Sequence, residues 1–186
     1  MRAAAVAGKP MRQFLFLTSS ARVGGNTETL ARIAARPLPQ SAQHWIDLTG
    51  LPPYHDQRPV QPPPEGRLAT LAAGIEAATD IVFVAPIYWY ALPAPAKLLL
   101  DHWSGWLDVP GMGFGASLHG KHLWLITVRA DADPTVAAGA EAMLRRAGAW
   151  LGMVWGGALH GIGTEPGDVL ADKPALAGAK ALFNFS

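Results

Sequence analysis

The feature that most restricts how this chain can fold is an alternation of five short apolar runs with segments of helical spacing. Residues 11–18 (MRQFLFLT) read as a buried strand closed by a Ser/Gly-rich turn. Residues 27–35 place Leu30, Ile33 and Ala34 at helical intervals, and Pro37 ends the pattern. A brief second strand covers 45–48, and Leu68, Leu71, Ala72 and Ile75 mark a second helix. Asp80 opens the run IVFVA, whose apolar, mainly β-branched residues suit a strand buried on both faces. A helix over 95–103 follows, with Pro95 suited to its first turn. LWLITV (123–128) reads as the fourth strand, 134–151 as a helix, 153–159 as the fifth strand and 173–183 as a closing helix. A Pro-rich irregular loop is expected over 49–64 and a Gly-rich loop over 104–120. Such alternation gives a mostly parallel sheet with helices on both faces. Right-handed crossovers leave only a few doubly wound strand orders.

A chain of 186 residues suits one domain, and no long repeat or linker divides it. Half the residues are hydrophobic and 16% charged, enough for a packed core and too apolar for disorder. A formal net charge of +1 argues against a nucleic-acid partner, which calls for a clustered basic patch. The chain contains no cysteine, which excludes disulfides, thiolate metal sites, cysteine-ligated clusters and a cysteine nucleophile. That composition fits a reducing cytoplasm. Residues 1–10 are Ala-rich without an apolar run of signal-peptide length, so a flexible tail is expected there, with Met11 a candidate natural start and 11–186 the folded domain. Residues 81–100 are apolar, but Pro86, Pro93 and Pro95 interrupt them. Interior prolines cost a helix about 3 kcal/mol each, so no membrane span is expected.

The first motif carrying chemistry follows the first strand: Ser19-Ser20-Ala21-Arg22-Val23-Gly24-Gly25-Asn26-Thr27. Small residues and glycines let backbone N–H groups converge, and the following helix end adds roughly half a positive charge. Ser20, Asn26 and Thr27 offer hydrogen bonds and Arg22 a cation, which together suit a phosphate monoester. The plainer alternative is a strand-to-helix turn with Asn26 or Thr27 as cap. Neither GxGxxG nor GxxxxGK[ST] is present. The second motif ends the third strand: Pro86-Ile87-Tyr88-Trp89-Tyr90, running on to Pro93, Ala94 and Lys97. Open parallel sheets bind ligands beyond the carboxyl ends of their strands at the switch point. Prolines and aromatics there make a rigid, water-poor wall for a flat ring.

On these residues the chain resembles the NAD(P)H-dependent FMN reductase and quinone reductase families of the flavodoxin-like superfamily. Their pattern G-S-x-R-x-x-G-N-T is matched at Ser20, Arg22, Gly25, Asn26 and Thr27, with Ser19 where glycine is usual. Their pattern P-x-Y-W-x-x-x-P-A-x-x-K-x-x-x-D is matched at Pro86, Tyr88, Trp89, Pro93, Ala94, Lys97 and Asp101, with His102 after it in place of arginine. Gly113-Phe114-Gly115 and Leu118-His119-Gly120-Lys121 resemble the quinone-reductase branch. After the fourth strand, Thr127-Val128-Arg129-Ala130-Asp131 replaces the family's usual Thr-Thr-Gly-Gly turn. The resemblance implies a flavodoxin-like, five-stranded parallel sheet of order 2-1-3-4-5. It implies FMN as cofactor, NAD(P)H as co-substrate and a small acceptor (a quinone, azo or nitro compound, or flavin). It also implies a homodimer. The expected cofactor contacts are Ser19, Ser20, Arg22, Asn26, Thr27, Pro86, Ile87, Tyr88, Trp89, Tyr90, Val128 and Arg129. Backbone N–H groups of the 86–90 loop and of the loop after the fourth strand are expected to face the reduced ring. No side chain is assigned as acid, base or metal ligand. The alternative is an FMN electron carrier with little NAD(P)H activity, against which the near-neutral charge speaks.

Overall fold

Strand β3 (Asp80–Val84) is buried along its whole length and organises the sheet. Its residues alternate between two cores: Ile81 and Phe83 join one, Val82 and Val84 the other. That two-sided burial is why the segment is apolar throughout instead of alternating with polar residues. In this computed structural model, which describes residues 11–57 and 60–185, β1 (Phe14–Thr18), β2 (Gln43–Asp47), β4 (His122–Arg129) and β5 (Val154–Ile162) complete an all-parallel sheet of order β2-β1-β3-β4-β5. This is the flavodoxin-like order. The expected tail, residues 1–10, lies outside the described residues.

Helices α1 (Asn26–Ala35) and α6 (Lys173–Leu182) bury Leu30, Ala34, Ala175 and Ala179 against one face. On the other face α2 (Gly66–Ala77), α3 (Ala94–Leu107) and α5 (Ala138–Trp150) contribute Leu71, Ile75, Leu99, Trp103 and Leu144. Between α3 and β4 the expected Gly-rich loop contains a five-residue helix, α4 (Phe114–Leu118). It forms because Gly113, at φ 63°, turns the chain so that Phe114 packs edge-on against Trp103 and Trp106, at 5.8 and 5.1 Å. The same contacts carry α3 four residues beyond Trp103. Residues 134–137 form a single 3₁₀ turn ahead of α5. β5 runs on to Ile162 because Thr127, Val128 and Arg129 pair with His160, Gly161 and Ile162. Trp103 and Trp106 are buried in the core, whereas Trp150, though also on an apolar helical face, is 75% exposed and does not pack there.

A register shift lies between Leu123 and Trp124. A Cβ on Gly156 would sit 2.3 Å from the Trp124 ring. Gly156→Ala therefore forces that buried indole aside, at about 1–3 kcal/mol for overpacking. A chemical-denaturation midpoint unchanged in this variant contradicts that packing.

No helix among the described residues is long and apolar enough to cross a membrane.

Candidate flavin site at the carboxyl ends of the strands

The turn after β1 lies beyond the carboxyl end of that strand and delivers the N-terminus of α1. Gly25, not Asn26 or Thr27, is the cap residue, and no side chain caps the helix. The first helical N–H groups therefore have no intrahelical acceptor and face outward as donors. Gly24, at φ 66°, makes the turn, and its N–H donates to Glu28 Oε2 at 3.0 Å. Ser20 Oγ accepts from the Arg22 N–H at 3.1 Å, holding the loop curled.

Asn26 has a structural task that its position in the motif does not disclose. Its Nδ2 donates to the Glu165 carbonyl at 2.8 Å, while its Oδ1 accepts from Gly167 N–H at 2.9 Å. Arg22 Nη1 donates to the Thr164 carbonyl at 3.0 Å. Two residues of the cradle thus tie it to the loop after β5. That loop is itself pinned by Asp168, which accepts N–H bonds from Thr164 and Glu165 at 3.0 and 2.8 Å. The same two bonds hold the Asp168 carboxyl below the usual aspartate range.

Beyond this cradle a cleft of about 190 Å³ runs between the ends of β1, β3, β4 and β5. Of the expected contacts, Ser20, Arg22, Asn26, Thr27, Pro86, Ile87, Tyr88 and Val128 line it together. Trp89 and Tyr90 line an adjoining recess of about 200 Å³ that shares Ile87 and Ala130 with the cleft. Two expected contacts lie elsewhere. Ser19 is buried under the turn with its hydroxyl towards the Val84 carbonyl, at 3.5 Å. Arg129 folds back on its own loop, donating to the carbonyls of Asp133 and Ala132 at 3.1 and 3.3 Å. Gly25, part of the expected cradle motif, also lines the cleft, whereas Ala130, Gly163 and Thr164 were not expected to do so. Gly163 and Thr164 follow β5, so the rule that ligands collect beyond strand ends was the available signal.

The turn after β3 is unusually tight. Tyr88 and Ala91 exchange both backbone hydrogen bonds, at 3.0 and 3.1 Å, closing a two-residue turn. Trp89 and Tyr90 sit in the left-handed region at φ 49° and 64°. Such a conformation costs an aromatic residue about 1–3 kcal/mol and clusters at functional sites. The N–H of Ile87 is taken by the Val128 carbonyl and that of Tyr88 by Ala91. Of the loop's expected backbone donors, these two are committed within the fold, leaving Trp89 and Tyr90. Trp89 is 93% and Tyr90 67% exposed.

An open helix N-terminus beside a small-residue loop has the donors a phosphate dianion needs, and the apolar slot next to it has the shape a flat ring needs. A Cβ at Gly25 would lie 3.4 Å from the Arg22 Cβ and 3.6 Å from Ser20 Oγ, so this glycine keeps the cradle floor clear. The residues present therefore fit FMN. Fold and site together define a flavodoxin-like flavoprotein.

The chain belongs to the NADPH-dependent FMN reductase family, whose model matches residues 12–162. It is accordingly an NAD(P)H-dependent oxidoreductase with FMN as cofactor. It is 27% identical over 175 residues to the Bacillus subtilis protein YwqN, whose name describes an NAD(P)H-dependent FMN-containing oxidoreductase; the match covers 91% of this chain and 96% of that one. Among solved structures it is similar to a Trp repressor binding protein from Bacillus subtilis, with TM-score 0.78, 24% identity, and 94% and 99% of the two chains covered. It is also similar to an NAD(P)H:quinone oxidoreductase from Methanothermobacter marburgensis, with TM-score 0.65, 12% identity, and 91% and 92% covered.

Proposed function

We propose that this protein passes electrons from NAD(P)H, through FMN held in the cleft, to a small planar acceptor such as a quinone, an azo or nitro compound, or a free flavin. The observation that carries the reading is the uncapped N-terminus of α1 opening onto a slot walled by Pro86, Ile87, Val128 and Ala130. FMN, when bound, supplies the two-electron carrier chemistry. The chain's own residues bind and orient it. The first-turn N–H groups of α1, with the hydroxyls of Ser20 and Thr27, hold the phosphate, and Arg22 adds a cation. Asn26 keeps the cradle braced against the loop after β5. The apolar walls position the ring and exclude water, and the free N–H groups of the 88–91 turn favour negative charge at the ring edge. Tyr88 bounds the acceptor position. Ser19 and Arg129 act from behind, by packing under the cradle and by shaping the 130–133 loop. We assign the protein to the cytoplasm as a homodimer, with the exposed Trp89 and Tyr90 on the rim available to a second copy.

Anaerobic titration tests this reading. FMN-loaded protein should bleach on addition of NADH or NADPH and recover on addition of menadione. Arg22→Ala should weaken FMN binding by about 1.5–3 kcal/mol, the contribution of a charge-assisted bond. Bound FMN that neither nicotinamide donor reduces assigns the protein to the electron carriers instead.

A further inference from the structure

The recess of about 200 Å³ beside the ring slot is walled by Ile87, Trp89, Tyr90, Ala130, Asp131 and Val136. Three segments build it: the turn after β3, the loop after β4 and the 3₁₀ turn ahead of α5. The first of these sits close on α5, where a Cβ on Gly139 would lie 3.6 Å from the Tyr90 carbonyl oxygen. Consecutive residues of an extended chain point to opposite sides. The left-handed backbone of Trp89 and Tyr90 instead lets both rings line one recess.

Asp131 is the charged residue of this lining, as Arg22 is of the neighbouring cleft. Its Oδ1 accepts from the Asp133 N–H at 2.8 Å, which orients the carboxylate. Among the described residues it enters no ion pair, and no donor meets its second oxygen. Arg129, two positions back, is spent on the carbonyls of Asp133 and Ala132. Asp133 adds a second negative charge to the loop. The Thr135 N–H and hydroxyl, both at 2.8 Å, and to a lesser degree the Arg129 charge hold its carboxyl below the usual aspartate range. With one arginine and two aspartates, residues 129–133 carry a net charge of −1. Aromatic rings beside an uncompensated carboxylate are the surroundings that suit a quaternary or protonated amine and disfavour an anion.

We infer that the recess holds a cationic substituent of the electron acceptor, so that planar acceptors bearing an ammonium group are preferred to neutral or anionic ones. Asp131 is the residue that sets this preference. The inference rests on the reading of the flavin site under Proposed function. An acceptor ring in the slot reaches the recess past Ile87 and Ala130, which belong to both. The overall reaction is unchanged: one NAD(P)H and one proton convert a quinone to its quinol, and the charged substituent keeps all its bonds. An exposed ion pair and an exposed cation–π contact each contribute a factor of roughly two to five, so their joint effect is about tenfold.

The test uses FMN-loaded protein, NADH or NADPH as donor, and three naphthoquinones that differ in one side group. The groups are trimethylammoniomethyl, its uncharged isostere neopentyl, and sulfonatomethyl. Because the side group also alters the quinone's own reactivity, the readout is the change in kcat/KM ratios between proteins. Asp131→Asn should lower the ratio of the cation to its isostere about two- to fivefold. Asp131→Lys should lower it at least about tenfold and raise the ratio of the sulfonate to the isostere. Calorimetry on the oxidised protein as purified gives a readout independent of turnover. There, naphthylmethyl-trimethylammonium should bind about tenfold more tightly than naphthylmethanesulfonate. An unchanged cation-to-isostere ratio in either variant overturns the proposal, as does equal or tighter binding of the sulfonate. If neither donor reduces the flavin, the reading of the flavin site fails, and the calorimetric comparison still judges the recess.

Discussion

Gly25→Asp should weaken FMN binding at least about a hundredfold while leaving the fold as stable as before. Gly25 is the cap of α1 at φ −67° and ψ 174°, a conformation open to any residue. Aspartate is among the most favoured helix caps, so stability should hold or rise slightly. An added Cβ meets nothing closer than 3.4 Å. The carboxylate, however, would occupy the space and satisfy the N–H donors assigned to the phosphate. Two unit charges 4 Å apart repel by about 4 kcal/mol at an effective permittivity near 20. Affinity for FMN should fall at least about a hundredfold, measured by quenching of flavin fluorescence, with an unchanged thermal midpoint by circular dichroism. A variant that still binds FMN at near-parental affinity contradicts the phosphate assignment.

Arg12→Met carries the largest expected loss of stability, at the opposite end of the sheet. Asp80 is fully buried, and its carboxylate accepts from Arg12 Nε at 2.9 Å, Trp124 Nε1 at 2.8 Å and the Thr79 hydroxyl at 2.6 Å, with Arg12 Nη2 completing a two-pronged pair. Arg12 also lies over the Phe185 ring, 3.9 Å from its centroid. Removing one partner of a buried pair leaves an uncompensated charge and costs about 3–5 kcal/mol. For a domain of this size that lowers Tm by roughly 10 °C. Adding Asp80→Asn to the same protein should recover part of the loss by removing the stranded charge. FMN affinity should not change, because the pair lies at the amino end of β3 and the cradle at the carboxyl ends. A loss below about 1 kcal/mol contradicts this account of Asp80.

The architecture was readable because each strand declares itself locally. A run such as IVFVA at 81–85 is apolar throughout only if both faces are covered. The cradle was readable for the same reason, since Ser20, Gly25, Asn26 and Thr27 are consecutive or nearly so and act within one turn. What escaped was the part built by residues distant in sequence. Asn26 bonds residues about 140 positions away, a partnership that no local pattern encodes. Arg129 carries a charge at the right strand end, yet the carbonyls of its own loop claim it. The N–H groups of Ile87 and Tyr88 were plausible ring donors until pairing with β4 and the closed 88–91 turn used them. The short helix α4 depends on the packing of Phe114 against two tryptophans from α3 and so had no local signature.

The most direct measurement of the central claim is a crystal structure of the protein grown with FMN. The expected result is the phosphate within hydrogen-bonding distance of the Asn26 and Thr27 amides, and the ring between the 86–88 turn and the Val128–Ala130 segment. A phosphate bound anywhere else, or a cradle that holds none at saturating FMN, contradicts the account.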